Sequence, residues 1–295
     1  MSLMFRIVFL GTSGAVPSSE RSLPAIAMQR DGSVYLFDCG EGTQRQMMRF
    51  NVSYEKVKAV FLTHLHLDHV IGLFGLLETL KLKKRAGLKI FGPPGTSALI
   101  SPFAKEAGRA EIKEITGEEK IFETDDFSVS SFCTEHGLRH SFGYIIQEKE
   151  KIRFNAEKAH SLGMKGEMFR EIQEKGKIKV EGKTIKLSEV ACAVPGKKII
   201  YSGDTKAFAG MAKIAKEADL LIHEGTYGND REKEANERFH TSAVSAAKIA
   251  KKAKVKSLIL THISSRYPKA EVLEEEAKKV FANSRVAYDG MEISV

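Results

Sequence analysis

The stretch Ala59-Val-Phe-Leu-Thr-His64-Leu-His66-Leu-Asp68-His69-Val-Ile-Gly72 constrains this chain more than any other. It opens as a short apolar run, Val60 to Leu62, of the kind that forms a buried strand. Three histidines and an aspartate follow within six residues. Neutral imidazoles and carboxylates are ligands for first-row metals. His64 and His66, two apart, can turn to one side of an extended or tightly looped backbone, and Asp68 and His69 then face a second position. Gly72 is expected to let the chain enter an apolar helix, Leu73–Leu80. A strand running into such a cluster predicts a metal centre rather than a histidine-rich surface loop.

Composition narrows the class. The 295 residues are enough for one large domain or two and for a well-buried core. The formal net charge of +8 favours acidic partners, nucleic acid first, although a plainly Lys-rich surface gives the same total. Cys39, Cys133 and Cys192 are scattered and odd in number, so they predict neither a disulfide framework nor a Cys-type zinc site. No apolar run approaches the ~20 residues that span a bilayer. Met1–Leu10 has no apolar signal segment behind a basic start. A cytoplasmic protein with no membrane partner is expected.

Along the chain, a recurring unit is an apolar strand that ends in a polar group and is followed by a helix. Phe5–Leu10 runs into a turn-rich loop, Gly11 to Ser22. Ala25–Gln29 and Ser33–Phe37 read as a hairpin around Arg30-Asp31-Gly32. Asp38-Cys-Gly-Glu-Gly-Thr-Gln-Arg-Gln46 follows, with Thr43 placed to cap a helix. Leu88–Phe91 is a strand, Ser97–Gly108 a helix interrupted near Pro102, and Glu111–Ile115 and Phe127–Phe132 are strands. The last of these delivers His136, with His140 further on and left out of the ligand set. Lys198–Tyr201 delivers Asp204, Leu220–Ile222 delivers His223-Glu224, and Ser257–Leu260 delivers His262. A helix is expected over Gly210–Glu217, another through Ala243 to Ala250, and a last one over Glu271–Phe281. Val286–Tyr288 and Glu292–Val295 close the chain. Active-site groups of layered α/β folds gather at such strand ends, which predicts two sheets with outer helices and a site along one edge.

Residues 147–187 change character. Lysines alternate with acids, glycines punctuate, and few apolar side chains are interspersed. The segment reads as too polar to build a core and too long for a plain loop. A mobile, nucleic-acid-facing insertion in a single 1–295 catalytic domain is expected.

Collected by chemistry, His64, His66, Asp68, His69, His136, Asp204 and His262 are enough to hold two ions. Three imidazoles with Asp204 suit one, and Asp68, His69 and His262 with the same Asp204 suit the other. Zinc matches the histidine-rich set, and manganese or iron accept it too. Two ions about 3.5–4 Å apart acidify a water between them and clamp the oxygens of a displacement at phosphorus, so ester hydrolysis is the expected chemistry. Asp68 can take the proton of that water. His240 can contact the phosphate or protonate the leaving oxygen, with Glu224 fixing its tautomer. A helix-capping surface histidine is the alternative for His240.

His64-x-His66-x-Asp68-His69 with His136, Asp204 and His262 resembles the metallo-β-lactamase superfamily, an αββα sandwich. Further stretches narrow the resemblance to the short form of the tRNase Z (ribonuclease Z) family. They are Phe9-Leu-Gly-Thr-Ser-Gly14, Phe37-Asp-Cys-Gly-Glu-Gly-Thr-Gln-Arg-Gln46, Phe142-Gly-Tyr144 and Tyr201-Ser-Gly-Asp-Thr205, with His223-Glu-Gly-Thr226, His240-Thr-Ser242 and Thr261-His-Ile-Ser-Ser-Arg-Tyr267. The resemblance implies an endoribonuclease that removes the 3′ trailer from precursor tRNA, leaving a 3′-hydroxyl on the tRNA and a 5′-phosphate on the trailer. It implies two zinc ions per subunit, one on His64, His66 and His136, the other on Asp68, His69 and His262, bridged by Asp204, with attack by the hydroxide between them. Asp68 would accept the proton, and His240 with Glu224 would act at the phosphate. It also implies a homodimer in which the arm at 147–187 grips tRNA bound to the partner. The family's arm tends to carry a Gly-Pro pair, where this chain has Gly163-Met-Lys-Gly166-Glu167. Another hydrolase on the same fold, a binding module that has lost catalysis and a di-iron oxidoreductase are the rival readings. The filled ligand set argues against the second, and the lack of an electron-delivering domain against the third.

Overall fold

A computed structural model of the chain describes residues 4–106 and 110–295. Two mixed sheets face each other. The first runs in the order Glu292–Ser294, Arg6–Gly11, Ala25–Arg30, Ser33–Phe37, Val57–Phe61, Lys89–Gly92, Glu111–Glu114. The second runs Ser284–Val286, Leu258–Thr261, Leu220–Glu224, Lys198–Tyr201, Phe142–Glu148, Phe127–Cys133, Lys120–Glu123. Strands buried on both faces read as continuous apolar runs, and alternate residues serve different layers. Ile7 and Phe9 enter the core between the sheets, while Val8 and Leu10 face the helices on the outer side of the first sheet. In the second sheet Leu220 and Ile222 turn inward and Leu221 outward. The inter-sheet core is aromatic: Phe61 stacks between Phe37 and Phe91, each at 5.1 Å between centroids. The helices Thr43–Arg49, Leu67–Leu82 and Thr96–Glu106 cover the first sheet, and Met211–Ile214, Ala243–Ala253 and Glu271–Val280 cover the second. The result is the expected αββα sandwich. No helix among the described residues is long and apolar enough to cross a membrane.

Several local expectations give way. The helix after the histidine cluster begins at Leu67, so Gly72 lies inside it instead of opening it. Gly72 serves close packing: a Cβ there would stand 1.8 Å from the Gly40 carbonyl oxygen. Asp68 in the first turn is the favourable charge for that helix end. Thr43 is the first helical residue and not the cap; Gly42 takes that position with φ 77°, and Thr43 Oγ1 donates to the Gly40 carbonyl at 2.7 Å. The helix containing Pro102 runs unbroken over Thr96–Glu106, and the expected residues 107 and 108 lie outside the described ones. The helix expected over Gly210–Glu217 shrinks to Met211–Ile214. The edge strand Lys120–Glu123 carried no clear sequence signal.

The insertion departs most from expectation. It leaves the sheet after Glu148 and returns at Lys198, so it reaches about ten residues beyond residue 187 and takes in the strand Ala191–Val194. Strands Lys151–Phe154 and Ala191–Val194 pair as its stem. Beyond them lie helices Ala156–Ser161 and Met168–Lys175, a hairpin of Lys177–Val180 with Lys183–Lys186, and a last helical turn, Leu187–Val190. It is not too polar for a core: Ala159, Met164, Ile172, Ile178, Val180, Ile185 and Val190 bury one of its own. In the hairpin, alternation sends Ile178, Val180 and Ile185 inward and the lysines between them outward, so a small apolar set suffices. Glu148 fastens the base. Its carboxylate accepts from the buried Arg30 at 2.6 Å, Lys151 Nζ at 2.5 Å and the Lys197 N–H at 3.0 Å.

Candidate metal centre and active site

The strands Val57–Phe61, Lys198–Tyr201, Leu220–Glu224, Leu258–Thr261 and Phe127–Cys133 all point their C-terminal ends at one edge of the sandwich. That edge forms a cleft of about 610 Å³ lined by His66, Asp68, His136, Asp204, His240 and His262. His64, buried beneath it, completes a first group: its Nε2 lies 2.9 Å from His66 Nδ1, which is 3.3 Å from His136 Nε2. Asp68, His69 and His262 form a second group. Asp204 Oδ2 lies between the two, 3.9 Å from His64 Nε2, 3.7 Å from His136 Nε2, 3.4 Å from His69 Nε2 and 3.1 Å from His262 Nε2. His140 joins neither group.

This donor set fits a divalent metal ion. Ligands about 2.1 Å from a tetrahedral zinc stand roughly 3.4 Å apart, close to the spacings found. His69 Nε2 and His262 Nε2 are buried without a hydrogen bond of good geometry, a cost the native fold rarely accepts unless the atom has another use. The second nitrogen of each ring is occupied. His69 Nδ1 meets Asp38 Oδ2 at 2.9 Å, His136 Nδ1 meets the Phe239 carbonyl at 3.0 Å, and His262 Nδ1 meets Thr226 Oγ1 at 2.9 Å. These contacts leave each Nε2 facing the other donors. Burial and the neighbouring imidazoles hold His64 well below the ordinary histidine range, which keeps it a neutral donor. Burial opposes ionisation of Asp204, yet His262 and His69 outweigh it and hold the carboxyl well below its usual range.

Asp38 was missed as a site residue, though it stands in the quoted Phe37–Gln46 stretch. It has the signal that identified Asp204, a carboxylate at a strand end. It is fully buried, with φ 58°, and it accepts hydrogen bonds from the Thr63 N–H at 2.8 Å and Tyr201 OH at 2.8 Å besides its contact with His69. The loop that presents His64 is thereby tied to the strand end that presents Asp38.

His240 is held by Glu224, whose carboxylate oxygens lie 3.0 and 3.1 Å from its Nδ1. The same carboxylate accepts from the Thr205 N–H at 2.6 Å, Thr226 Oγ1 at 2.6 Å and the Thr241 N–H at 2.9 Å. Burial lowers the His240 pKa, but Glu224 outweighs it and the imidazole is pushed up to about 9. The reading of His240 as a helix-capping surface histidine therefore falls; Ser242 is the cap. His223 is no partner of His240. It shares the parity of Leu221, facing the outer helices, and its Nδ1 meets its neighbour's carbonyl at 2.8 Å.

The model of the metallo-β-lactamase superfamily matches residues 24–262. The chain is 41% identical over 302 residues to the ribonuclease Z of Picrophilus torridus, covering 100% of this chain and 97% of that protein. It is 42% identical over 304 residues to the ribonuclease Z of Archaeoglobus fulgidus, covering 99% and 98%. The structure of the short form of human tRNase Z superposes with a TM-score of 0.71 at 27% identity, covering 98% of this chain and 99% of that one. The metallo-β-lactamase-fold protein YhfI of Bacillus subtilis, at a TM-score of 0.75 and 18% identity over the full length of both chains, shares the fold. The chain therefore belongs to the metallo-β-lactamase superfamily and, within it, to the ribonuclease Z family.

Proposed function

We propose that this protein is a metal-dependent endoribonuclease that removes the 3′ trailer from precursor tRNA, leaving a 3′-hydroxyl on the tRNA and a 5′-phosphate on the trailer. The observation that carries this reading is one cleft holding both metal donors and the His240–Glu224 pair, in a chain so similar throughout its length to ribonucleases Z. His64, His66 and His136 would hold one zinc ion, and Asp68, His69 and His262 a second, with Asp204 shared. Bound there, the ions would polarise the phosphodiester and acidify the attacking water. Asp68 takes that water's proton. Its Oδ2, 3.6 Å from His69 Nε2 and 3.7 Å from His262 Nε2, is further steadied by the Ala15 N–H at 3.1 Å. His240, with Nδ1 committed to Glu224, presents Nε2 to the departing 3′-oxygen and gives it a proton as the P–O3′ bond breaks. The phosphate leaves with the trailer.

The folded insertion, with lysines on its outer positions, suits a grip on the tRNA backbone, where cation contacts displace counterions. A homodimer, in the cytoplasm, belongs to the same reading. Its support is the helix Leu67–Leu82, which is apolar on both sides. Val70, Leu73, Leu77 and Leu80 are buried, while Leu67 and Ile71 are 64% and 42% exposed on the other face. Apolar side chains left exposed one turn apart on a helix mark a surface that a partner covers.

The deciding experiment is cleavage of end-labelled precursor tRNA by chelated protein with and without added zinc or manganese. A metal-dependent cut immediately 3′ of the discriminator nucleotide is expected. Metal-loaded, folded protein that leaves this substrate intact would refute the assignment.

A further inference from the structure

Few large aromatic side chains are exposed on this molecule, and among the described residues Phe239 is the one of them that lines the active cleft. It is 41% exposed, beside Leu138, itself 40% exposed. Phe239, just past the C-terminus of the helix Glu232–Glu237, has φ 59°, a left-handed conformation that a bulky residue keeps only where the surrounding structure holds it. This conformation sends the Phe239 carbonyl to His136 Nδ1 and leaves the ring at the mouth of the cleft. The ring's position is fixed from behind: a Cβ on Gly137 would come within 2.8 Å of Phe239 Cδ2, so glycine there is what admits it. Lys206 Nζ lies over the ring, 5.7 Å from its centroid, and is paired with Glu135 at 3.0 Å. An apolar aromatic face flanked by a cation, next to a phosphodiester-cleaving centre, is the arrangement that receives a nucleobase and its phosphate.

We infer that Phe239 is a stacking platform for the base of the discriminator nucleotide, the one whose 3′-oxygen departs. This rests on the reading of the protein as a tRNA 3′-processing nuclease. The choice of nucleotide follows from adjacency. His240, the next residue, protonates the leaving O3′, which stays with the discriminator ribose. The base on that ribose therefore lies on the Phe239 side of the scissile bond, and the trailer lies on the other. Stacking recognises any base by its π-face, so the platform positions the end of the acceptor stem without demanding one sequence.

The test combines Phe239→Leu with a precursor tRNA made abasic at the discriminator. Phe239→Leu is expected to lower kcat/KM on the intact substrate by roughly ten- to a hundredfold, and Phe239→Trp to keep it within a few-fold. The abasic substrate should cost the wild type a similar factor and the Leu variant nothing further. Equal losses from Phe239→Leu on both substrates, or none on the intact one, would overturn the platform. Metal content of the variants, expected to equal that of the wild type, separates this from damage to His136. A wild type that does not cut precursor tRNA refutes the nuclease reading instead. The platform is then read from mature tRNA carrying 2-aminopurine at its discriminator position, whose fluorescence wild type should quench and Phe239→Leu should not. Equal quenching by both would overturn it.

Discussion

At the scale of single residues, the centre depends on groups that need not touch a metal at all. Asp38 orients His69 and ties down Thr63, and Thr63 Oγ1 in turn lies 3.0 Å from His64 Nδ1. One carboxylate thus steadies a member of each donor group. Removing such an outer contact typically costs ten- to a hundredfold in metal affinity. Asp38→Ala is therefore expected to lose metal to a competing chelator at roughly ten- to a hundredfold lower chelator concentration than the wild type, measured by metal content after equilibrium dialysis. Retention equal to wild type would show that His69 and the Thr63 loop are held by packing alone. Glu224 acts in the same manner on His240, and its remaining lone pairs are filled by backbone and hydroxyl donors, so its charge is directed at the imidazole.

At the scale of elements, the insertion is a folded unit on a two-stranded stem, joined to the sandwich through Glu148 and its ion pair with Arg30. Its buried residues come from its helices, the turn between them and the hairpin, and none is shared with the sandwich cores. Excision should therefore leave the sandwich intact. Replacing residues 151–194 by a short glycine linker is expected to change the melting temperature of the remainder by only a few degrees. It should weaken binding of precursor tRNA at least tenfold and leave turnover of bis(p-nitrophenyl) phosphate within about twofold. Binding would be read by filter retention and turnover by absorbance. An equal fall on both substrates would remove the insertion from RNA binding and place it in the catalytic centre's support. The salt slope of tRNA binding should also shrink, since phosphate contacts set that slope.

At the scale of the whole molecule, the exposed apolar face of Leu67–Leu82 sits on the very helix whose first turn carries Asp68 and His69. A dimer interface there would join assembly to the catalytic centre. Leu67→Glu with Ile71→Glu places charge on the face and should convert a dimer to a monomer in sedimentation velocity at micromolar concentration. If the wild type already sediments as a monomer, the face serves no self-association. The net charge of +8 is a property of the same scale: it favours encounter with RNA without naming where RNA binds.

Much of the donor set was legible because each member follows an apolar run, and a strand end fixes which edge its next residues reach. The recurrence of apolar strand, polar group and helix likewise pointed to two sheets with outer helices. What escaped was decided by contacts between segments distant in sequence. Gly72 reads from the sequence as the entry to a helix, yet here Gly40, from another loop, needs the space its missing Cβ leaves. Asp38 stands at a strand end as Asp204 does, but its role rests on Thr63, His69 and Tyr201, which only the fold brings around it. Residues 147–187 read as coreless because their composition is charged, but a core needs only an apolar side chain at each inward position, and which positions turn inward depends on how helices and hairpin pack. The sequence by itself determined the ligand types, the strand-end rule and the sandwich. Only the tertiary structure decided which ring nitrogen faces which partner, that Asp38 closes on His69, and that Phe239 stands open at the cleft, because those depend on directions in space that no local pattern encodes.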